Sequence, residues 1–449
     1  MKRIKSILLV TLSLIFGFVV LAPESFATTG TRNIYQPNAA ITKIVRTPVG
    51  TTLPDPLDFE FDITPINWDN TAFDGSNMPQ FDSITLSYST DMTTPSANAV
   101  SEGITNPYTD DDALCYVLES ENIFLGMTGD WQGAGKYEYS IKEIPDTFIL
   151  NNYSPAENFT ESMTWSGAEY RLFIYVLEDT NGDLYIDGIG VIKIKNDAGE
   201  DQPEEKISVV TPGGDDKEYF WSQIQFKNDY WKTSDGDPEN PDTSSTSLSV
   251  SKTVTGSAIV AADYDRFFGF NMTLTVPSIV PDNEVPTYYA AFVVDANGDV
   301  VNDLTGYADA SVVGSNGNEE YIKFVPGQET SFNLKHGEKL IFVDTIIGSS
   351  YEISESATPY FIPSYIITTA GTSAAEVTGN TSQSISTDVE HTGEGQGTDK
   401  NHAAFKNTCN ATPETGLTRL QIYGLGIIGL IALIVFIVIS INRKRRDSE

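Results

Sequence analysis

The sequence predicts an all-β protein built from two tandem Ig-like β-sandwich modules, and three observations lead to this prediction. From residue 41 onward, Val, Ile, Thr, Tyr and Phe occur in short runs of alternating polarity, with Gly, Pro, Asn and Asp between the runs. Between the two ends of the chain, no long segment repeats its apolar residues with the 3.6-residue period of a helix. The 449 residues exceed the size of one compact core, and the patterned segments occur twice in a similar order.

The N-terminus, residues 1–27, has the composition of a cleaved secretory signal peptide. Lys2, Arg3 and Lys5 precede an apolar run over 7–21, and small residues before position 28 suit cleavage after Ala27. The alternative is a first transmembrane helix. The short apolar run and the polar, Thr-rich sequence that follows favour the signal peptide, so we expect the mature chain to be secreted.

The first module is predicted to span residues 38–230. Its first strands are recognised by alternation at 41–45, 59–63, 84–88 and 136–143. Residues 170–177 and 184–192 predict a hairpin around the turn at 179–183. The acidic segment 196–217, which contains Pro and Gly, is predicted to be a long surface loop before the closing strand.

A linker rich in Asp, Pro, Ser and Thr is predicted at 231–247, and the second module at 248–408. The strands predicted for this module lie at 248–254, 268–272, 289–294, 340–343, 351–355 and 403–409. Residues 368–400 are rich in Ser, Thr and Gly and show no clear periodicity. Taken together, the two modules form an internal repeat in the order of their parts.

Each module places three polar side chains on strand faces that are otherwise apolar. With a period of two, Asn228 falls on the same face as Phe226 and Tyr230, and a buried amide is costly unless it finds partners. The first strand, a middle strand and the last strand each contribute one such residue. The six are Lys43, Glu143 and Asn228 in the first module, and Lys252, Glu355 and Asn407 in the second.

A single charged residue on an apolar face usually has a simple structural explanation. It protects an exposed edge strand, marks a bulge, or lies at the rim with its aliphatic stem buried. Six such positions in the same order in two modules favour a chemical explanation. An apolar pocket favours the neutral amine of lysine, which is nucleophilic, and it favours a neutral carboxylic acid that can polarise the asparagine carbonyl and relay a proton. The amine could then attack the carboxamide, release ammonia and leave an amide bond between the two side chains, because the fold supplies proximity.

These residues lie in motifs that resemble a known family. The motifs are Thr-Lys-x-Val or Ser-Lys-x-Val on the first strand, Tyr-x-x-x-Glu in the middle and Phe-x-Asn on the last strand. They are similar to the streptococcal-type pilin isopeptide linkage domain of Gram-positive major pilins and related surface proteins. The resemblance implies β-sandwich modules with autocatalytic intramolecular Lys–Asn isopeptide bonds and no cofactor. It assigns the amines to Lys43 and Lys252, the acceptors to Asn228 and Asn407, and the catalytic acids to Glu143 and Glu355.

The C-terminus, residues 412–449, resembles the cell-wall sorting signal of Gram-positive surface proteins. A Pro-x-Thr-Gly pentapeptide precedes an apolar span at 422–441, which is long enough for a transmembrane helix, and a basic tail follows. The pentapeptide departs from the usual pattern only in its first residue and consists of Thr412, Pro413, Glu414, Thr415 and Gly416. This resemblance implies a sortase as partner and attachment to peptidoglycan or to a neighbouring pilin subunit. The alternative is a protein that stays anchored in the membrane.

The charge of the chain excludes some classes of partner. Removing the two predicted processed ends takes eight of the 27 basic and three of the 62 acidic side chains, which leaves 19 basic and 59 acidic ones. Such a surface repels nucleic acid and anionic lipid, so we expect neither as a partner. The two cysteines, Cys115 and Cys409, lie in different predicted modules and cannot form a disulfide framework.

Two other functional classes have weaker sequence support. An extracellular hydrolase would need an acid pair in a cleft or a Ser-His-Asp set, and neither pattern stands out. The Asp-rich turns at 179–183 and 295–299 open like calcium loops but lack the glycine and the acid that complete the motif, so no metal site is predicted.

The second of these functional classes is a non-polymerising adhesin that binds a host ligand. If the protein polymerises, Lys206 and Lys217 are the candidate lysines for linkage to a neighbour.

Overall fold

The computed structural model describes residues 35–89, 91–94, 101–147, 159–210, 220–234, 247–317, 319–395 and 399–410. These parts of the chain are almost entirely β-structure, which confirms the predicted all-β class. The helical elements described are a 3-10 turn at Ile123–Gly126 and a four-residue helix at Ala261–Tyr264. The predicted signal peptide, the sorting pentapeptide, the helix at 422–441 and Lys217 lie outside the described residues. Within the described ranges, none of the helices has the length and apolar character needed to cross a bilayer.

Within the described residues, the first module contains strands β1 to β14. Their bounds are β1 (Thr42–Pro48), β2 (Asp58–Trp68), β3 (Thr71–Ala72), β4 (Gln80–Phe81), β5 (Ile84–Ser87), β6 (Tyr108–Asp110), β7 (Ala113–Glu119), β8 (Met127–Thr128), β9 (Gly135–Ile144), β10 (Phe159–Thr164), β11 (Glu169–Glu178), β12 (Leu184–Lys195), β13 (Asp201–Ile207) and β14 (Gln225–Ser234). One sheet has the order β10-β14-β1-β7-β6, and a second has the order β13-β12-β11-β9-β2-β3, with β5 also paired to β2. Strands β4 and β8 form a separate pair.

The second module consists of strands β15 to β28. Their bounds are β15 (Leu248–Thr255), β16 (Phe268–Thr275), β17 (Tyr289–Val294), β18 (Val313–Asn316), β19 (Glu319–Phe324), β20 (Glu329–Leu334), β21 (Lys339–Phe342), β22 (Ser350–Glu355), β23 (Ile362–Thr369), β24 (Thr372–Ser373), β25 (Val377–Thr378), β26 (Ile385–Ser386), β27 (Glu390–His391) and β28 (His402–Thr408). One sheet follows the order β18-β19-β17-β21-β15-β28-β23-β24, and the other follows β20-β16-β22-β26. Strand β25 joins the first of these at β23, and β27 joins the second at β22.

The first and last strands of each module lie side by side and parallel. Strand β1 pairs with β14, with Lys43 opposite Phe226. Strand β15 pairs with β28 in the same register, with Lys252 opposite Phe405. Because side chains alternate between faces, the asparagine two residues after each phenylalanine points to the same face as the lysine. The parallel pairing therefore brings together residues that are far apart along the chain.

The core of each module lies between its two sheets, as expected for a sandwich. In the first module, Phe61 of β2 meets Phe226 of β14 with ring centroids 5.1 Å apart, and both side chains are fully buried. In the second module, Phe270 of β16 meets Phe405 of β28 at 5.3 Å. Each of these rings contributes roughly 1.5–3 kcal/mol to stability by its burial. The apolar faces predicted for these strands are the faces that pack in the core.

The predicted hairpin is confirmed, but the loop predicted after it is partly wrong. Strands β11 and β12 pair antiparallel around a turn in which Asp179 accepts backbone hydrogen bonds from Asn181 and Asp183. Within the segment predicted to be a surface loop, residues 201–207 form β13, an edge strand paired with β12. This strand is exposed and charged and contains Pro203, so it lacks the apolar alternation that reveals a buried strand.

A joint connects the end of β14 to the loop between β21 and β22 of the second module. The backbone N–H of Ser234 donates to the carbonyl of Thr345, and the N–H of Ile347 donates to the carbonyl of Lys232. The apolar side chains of Trp231, Val280 and Ile346 pack together across the same contact. These backbone bonds extend the last strand of the first module onto the second module.

A buried ion pair lies within this joint. The side chain of Lys232 is fully buried, and its Nζ lies 2.9 Å from Oε1 of Glu394 in the second module. The carboxylate of Glu394 also accepts hydrogen bonds from the backbone N–H and the hydroxyl of Thr52, at 2.6 and 2.7 Å. Burying a cation is unfavourable unless it is paired, so removal of the glutamate should be costly.

We expect Glu394→Ala to loosen the joint while both modules stay folded. Loss of one partner of a buried pair costs about 3–5 kcal/mol, because the buried Lys232 ammonium loses a carboxylate oxygen that lies 2.9 Å away. Hydrogen exchange at the Ser234 and Ile347 amides should become faster. The matched control is Glu376→Ala, which breaks the exposed pair with Lys406 and should cost about 0–1 kcal/mol. Unchanged exchange at the two joint amides in Glu394→Ala would show that the ion pair does not hold the joint.

Candidate functional site

The first candidate site joins both sheets of the first module. Lys43 on β1 and Asn228 on β14 belong to one sheet, and Glu143 on β9 reaches them from the other. Lys43 Nζ lies 2.7 Å from both carboxylate oxygens of Glu143. Asn228 Nδ2 donates to Oε1 of the same carboxylate at 2.9 Å. One carboxylate oxygen therefore contacts both nitrogen atoms.

The surroundings of Lys43 are apolar and exclude water. The side chain is completely buried, and its Nζ lies 4.7 Å from the centroid of the Phe59 ring. This burial lowers the pKa of Lys43 to about 8, although the negative charge of Glu143 acts in the opposite direction. The neutral amine is therefore much more accessible at moderate pH than it is for a lysine in water.

The carboxamide of Asn228 is held at both of its polar atoms. Its Oδ1 accepts a hydrogen bond of 2.7 Å from the backbone N–H of Ser166, in the loop between β10 and β11. The sequence led us to expect that Glu143 would donate to this carbonyl oxygen. In the structure the carboxylate instead contacts the NH2 group, because the carbonyl oxygen faces the Ser166 loop.

The second candidate site repeats the arrangement in the second module. Lys252 on β15 places its Nζ 2.5 Å from Oε1 of Glu355 on β22, and Asn407 on β28 donates to the same oxygen at 2.6 Å. The Lys252 amine lies 4.6 Å from the centroid of the Phe268 ring. Burial lowers the pKa of Lys252 to about 8 and raises the pKa of Glu355. The three predicted residues of each module thus meet in one buried cluster.

The two sites differ in the partners of their oxygen atoms. Asn407 Oδ1 and Glu355 Oε2 are both buried, and neither has a hydrogen-bond partner within the part of the chain that the structure describes. In the first module, both Glu143 oxygens and the Asn228 carbonyl are engaged. The contact from Ser166 was not anticipated from the sequence, since a backbone N–H in a loop leaves no signal in the pattern of side chains.

Each cluster has the parts needed for an amide exchange between side chains. The lysine supplies the nucleophile, the asparagine supplies a carbonyl carbon and an amino leaving group, and the carboxylate contacts both nitrogens. Proton transfer between nitrogens by one carboxylate requires such shared contact. Apolar walls hold the groups in place and keep out competing water.

The other motifs do not form a comparable site. The Asp295 carboxylate accepts backbone hydrogen bonds from Asn297 and Asp299, as expected for a tight turn. Across the described residues, no group of three or more His, Cys, Asp and Glu side chains is arranged to hold a metal ion. His402 lies buried in β28, where Ser249 and Ser251 contact its two ring nitrogens at 2.7 and 2.9 Å.

Comparison with known proteins gives a partial family match and distant structural likeness. Residues 246–408 match the model of DUF7601, a domain of unknown function, which covers less than half of the chain. The chain has no match among the curated proteins. The major pilin of Streptococcus pyogenes is similar at 16% identity and a TM-score of 0.29, over 84% of this chain and 100% of that one.

Two further solved structures show likeness of the same kind. The T-13 major pilin of Streptococcus pyogenes is similar at 14% identity and a TM-score of 0.26, over 83% of this chain and 97% of that one. A pilus-presented adhesin is similar at 15% identity and a TM-score of 0.20, over 54% of this chain and 36% of that one. Likeness at this level says nothing about chemistry, so any assignment of function to this chain depends on its own residues.

Proposed function

We propose that the protein is a pilin-like structural and adhesive protein of the Gram-positive cell surface, locked by one intramolecular isopeptide bond in each module. The observation that carries the proposal is the pair of buried clusters in which one carboxylate oxygen contacts both a lysine amine and an asparagine amide. The signal-like N-terminus and the sorting-signal-like C-terminus support secretion and anchoring to the cell wall by a sortase. The protein is not an enzyme in this proposal, since its only chemistry acts on itself.

The reaction balances without a cofactor. Neutral Lys43 Nζ attacks Asn228 Cγ, and a new C–N bond forms. Glu143 takes a proton from the attacking nitrogen and delivers it to Asn228 Nδ2, which leaves as ammonia. The products are one secondary amide and one NH3, and Glu143 returns to its starting state. Lys252, Glu355 and Asn407 would react in the same way.

The bond would close nearly a whole module into one covalent loop. Lys43 and Asn228 lie on the first and last strands of their module, as do Lys252 and Asn407. Loop-closure reasoning developed for disulfides gives about 5 kcal/mol of stabilisation against unfolding for loops of this length. A secreted protein with two free, buried cysteines would gain from the isopeptide bonds the robustness that disulfides give to others.

The central test is the mass of the recombinant mature chain. We expect it to be lighter than its sequence mass by two molecules of ammonia, one for each module. Peptide mapping should find branched peptides that join the Lys43 strand to the Asn228 strand and the Lys252 strand to the Asn407 strand. In the variants Lys43→Met and Lys252→Met, one bond cannot form, so each variant should lack only one ammonia relative to its own sequence mass. Folded protein with no mass deficit would refute the cross-links.

The role of the acids is tested by Glu143→Ala and Glu355→Ala. Each variant should fold but leave its own module unlinked, because it lacks the carboxylate that contacts both nitrogens and relays the proton between them. The control is Asp62→Ala, which removes a carboxylate from the solvent-facing side of β2 and should leave both bonds intact. Two ammonia molecules lost from the double glutamate variant would show that the acids are not catalytic.

The rate of bond formation should rise with pH. Lysine reacts as the neutral amine, and the lowered pKa values of Lys43 and Lys252 are both about 8. Below that pH the rate should increase about tenfold per pH unit, and above it the rate should level off. Chain recovered from inclusion bodies directly into denaturant, with its sequence mass still intact, can be refolded between about pH 6 and pH 9.5. Ammonia loss is followed by mass and folding by tryptophan fluorescence. A rate that is constant or falls over this range would contradict attack by the neutral amine.

A further inference from the structure

The loop that precedes β11 directs one backbone N–H at the reacting carbonyl of the first module. Ser166 N lies 2.7 Å from Asn228 Oδ1, on the carbonyl side of an amide whose NH2 side faces Glu143. When an amine attacks Asn228 Cγ, the electrons of the C=O bond move to Oδ1, and negative charge grows there. A hydrogen-bond donor already aimed at that atom stabilises the transition state more than the ground state.

Asp197, in the turn after β12, holds this loop against β14. Its Oδ1 accepts hydrogen bonds from the hydroxyl of Ser166 at 2.6 Å and from the backbone N–H of Lys227 at 2.8 Å. Its backbone carbonyl accepts from the N–H of Gly167 at 2.7 Å. One residue thus ties the Ser166 loop to the residue that precedes Asn228.

Close packing of two glycines makes this arrangement rigid. A Cβ atom added to Gly167 would lie 2.7 Å from both the Cα and the N of Gly199, which is closer than real Cβ contacts allow. Gly199 itself has a φ of +78°, in the left-handed region that favours glycine. The loop can therefore lie directly on the turn that contains Asp197, and its N–H groups have little freedom to turn away.

The second module offers no equivalent donor within the described residues, since the buried Oδ1 of Asn407 has no hydrogen-bond partner there. We propose that the Ser166 N–H is an oxyanion donor for bond formation at Asn228, that Asp197 is its positioning residue, and that the first module therefore links faster than the second. This inference rests on the proposed Lys–Asn reaction and adds the group that controls its rate. Loss of one such donor typically slows a reaction about 10²–10³-fold.

The test compares Ser166→Pro, which removes the N–H, with Ser166→Ala, which keeps it and removes only the hydroxyl. Mature-length chain is recovered from inclusion bodies directly into denaturant, its unlinked state is checked by mass, and it is then refolded. Peptide mapping over time gives the rate of each bond separately. The Lys252–Asn407 bond in the same molecules serves as an internal clock. We expect the first-module rate to fall about 100-fold in Ser166→Pro relative to Ser166→Ala, with the clock unchanged. Rates within threefold of each other in the two variants would overturn the inference.

Asp197 provides a second pair of variants in case proline prevents folding. Asp197→Asn keeps an acceptor for Ser166, whereas Asp197→Ala does not. Burial lowers the pKa of Lys43, and the negative charge of Asp197 opposes this lowering. Both variants remove that charge, so electrostatics alone would make both react faster at low pH. We expect Asp197→Ala to lower the plateau rate above about pH 8 by tenfold or more, and Asp197→Asn to keep the plateau and shift the profile to lower pH. Equal plateaus in the two variants would overturn the positioning role.

The outcomes separate this inference from the proposed function. Wild-type chain that loses no ammonia in either module refutes the cross-linking itself. Wild-type chain in which both bonds form at equal rates, or a first-module bond that ignores Ser166 and Asp197, leaves the cross-linking intact and refutes the oxyanion donor.

Discussion

The burial of a lysine amine in the interior of each sandwich is the constraint on which the rest of the structure depends. A cation without water needs an opposite charge. In both modules this charge comes from the facing sheet, which also supplies the aromatic ring over the amine. Glu143 and Glu355 fill this role from β9 and β22. The position of the glutamate then determines where an asparagine amide can contact both the carboxylate and the lysine amine. The last strand of each module supplies that asparagine.

A buried lysine paired with a glutamate occurs at three places in the described residues, and the surrounding groups differ. Lys43, Lys252 and Lys232 are all completely buried, and each pairs with a glutamate from another element. At the first two, the carboxylate also binds an asparagine amide, which is the acceptor in the proposed bond. At the joint, the carboxylate of Glu394 binds Thr52, whose backbone and hydroxyl offer no such chemistry. The contact between the modules is therefore non-covalent, whereas the sites within them hold the groups of the proposed covalent bonds.

Local periodicity was enough to predict much of this structure. Alternation of polarity located the buried strands, and the presence of Asn228 and Asn407 on apolar faces directed attention to the two clusters. Strand β13 was missed because an exposed, charged edge strand does not alternate in the way a buried one does. The Ser166 contact and the Glu394 pair were missed for another reason. Both join residues that are distant in sequence, through a backbone N–H or a loop carboxylate, and no pattern of neighbouring side chains records such contacts.

The parallel pairing of first and last strands determines how such a molecule responds to tension. With Lys43 linked to Asn228 and Lys252 linked to Asn407, the chain within each loop carries no load. Only the 23 residues between Asn228 and Lys252 connect the two linked segments. Fully extended, a stretch of that length spans about 80 Å. With the proposed bonds formed, the contour length available under force would be limited to this short stretch, and the non-covalent joint around Lys232 would be the part to open first. In a fibre or stalk built from such units, the modules would hardly lengthen under force. The short stretch between Asn228 and Lys252 would provide the only extension in each unit.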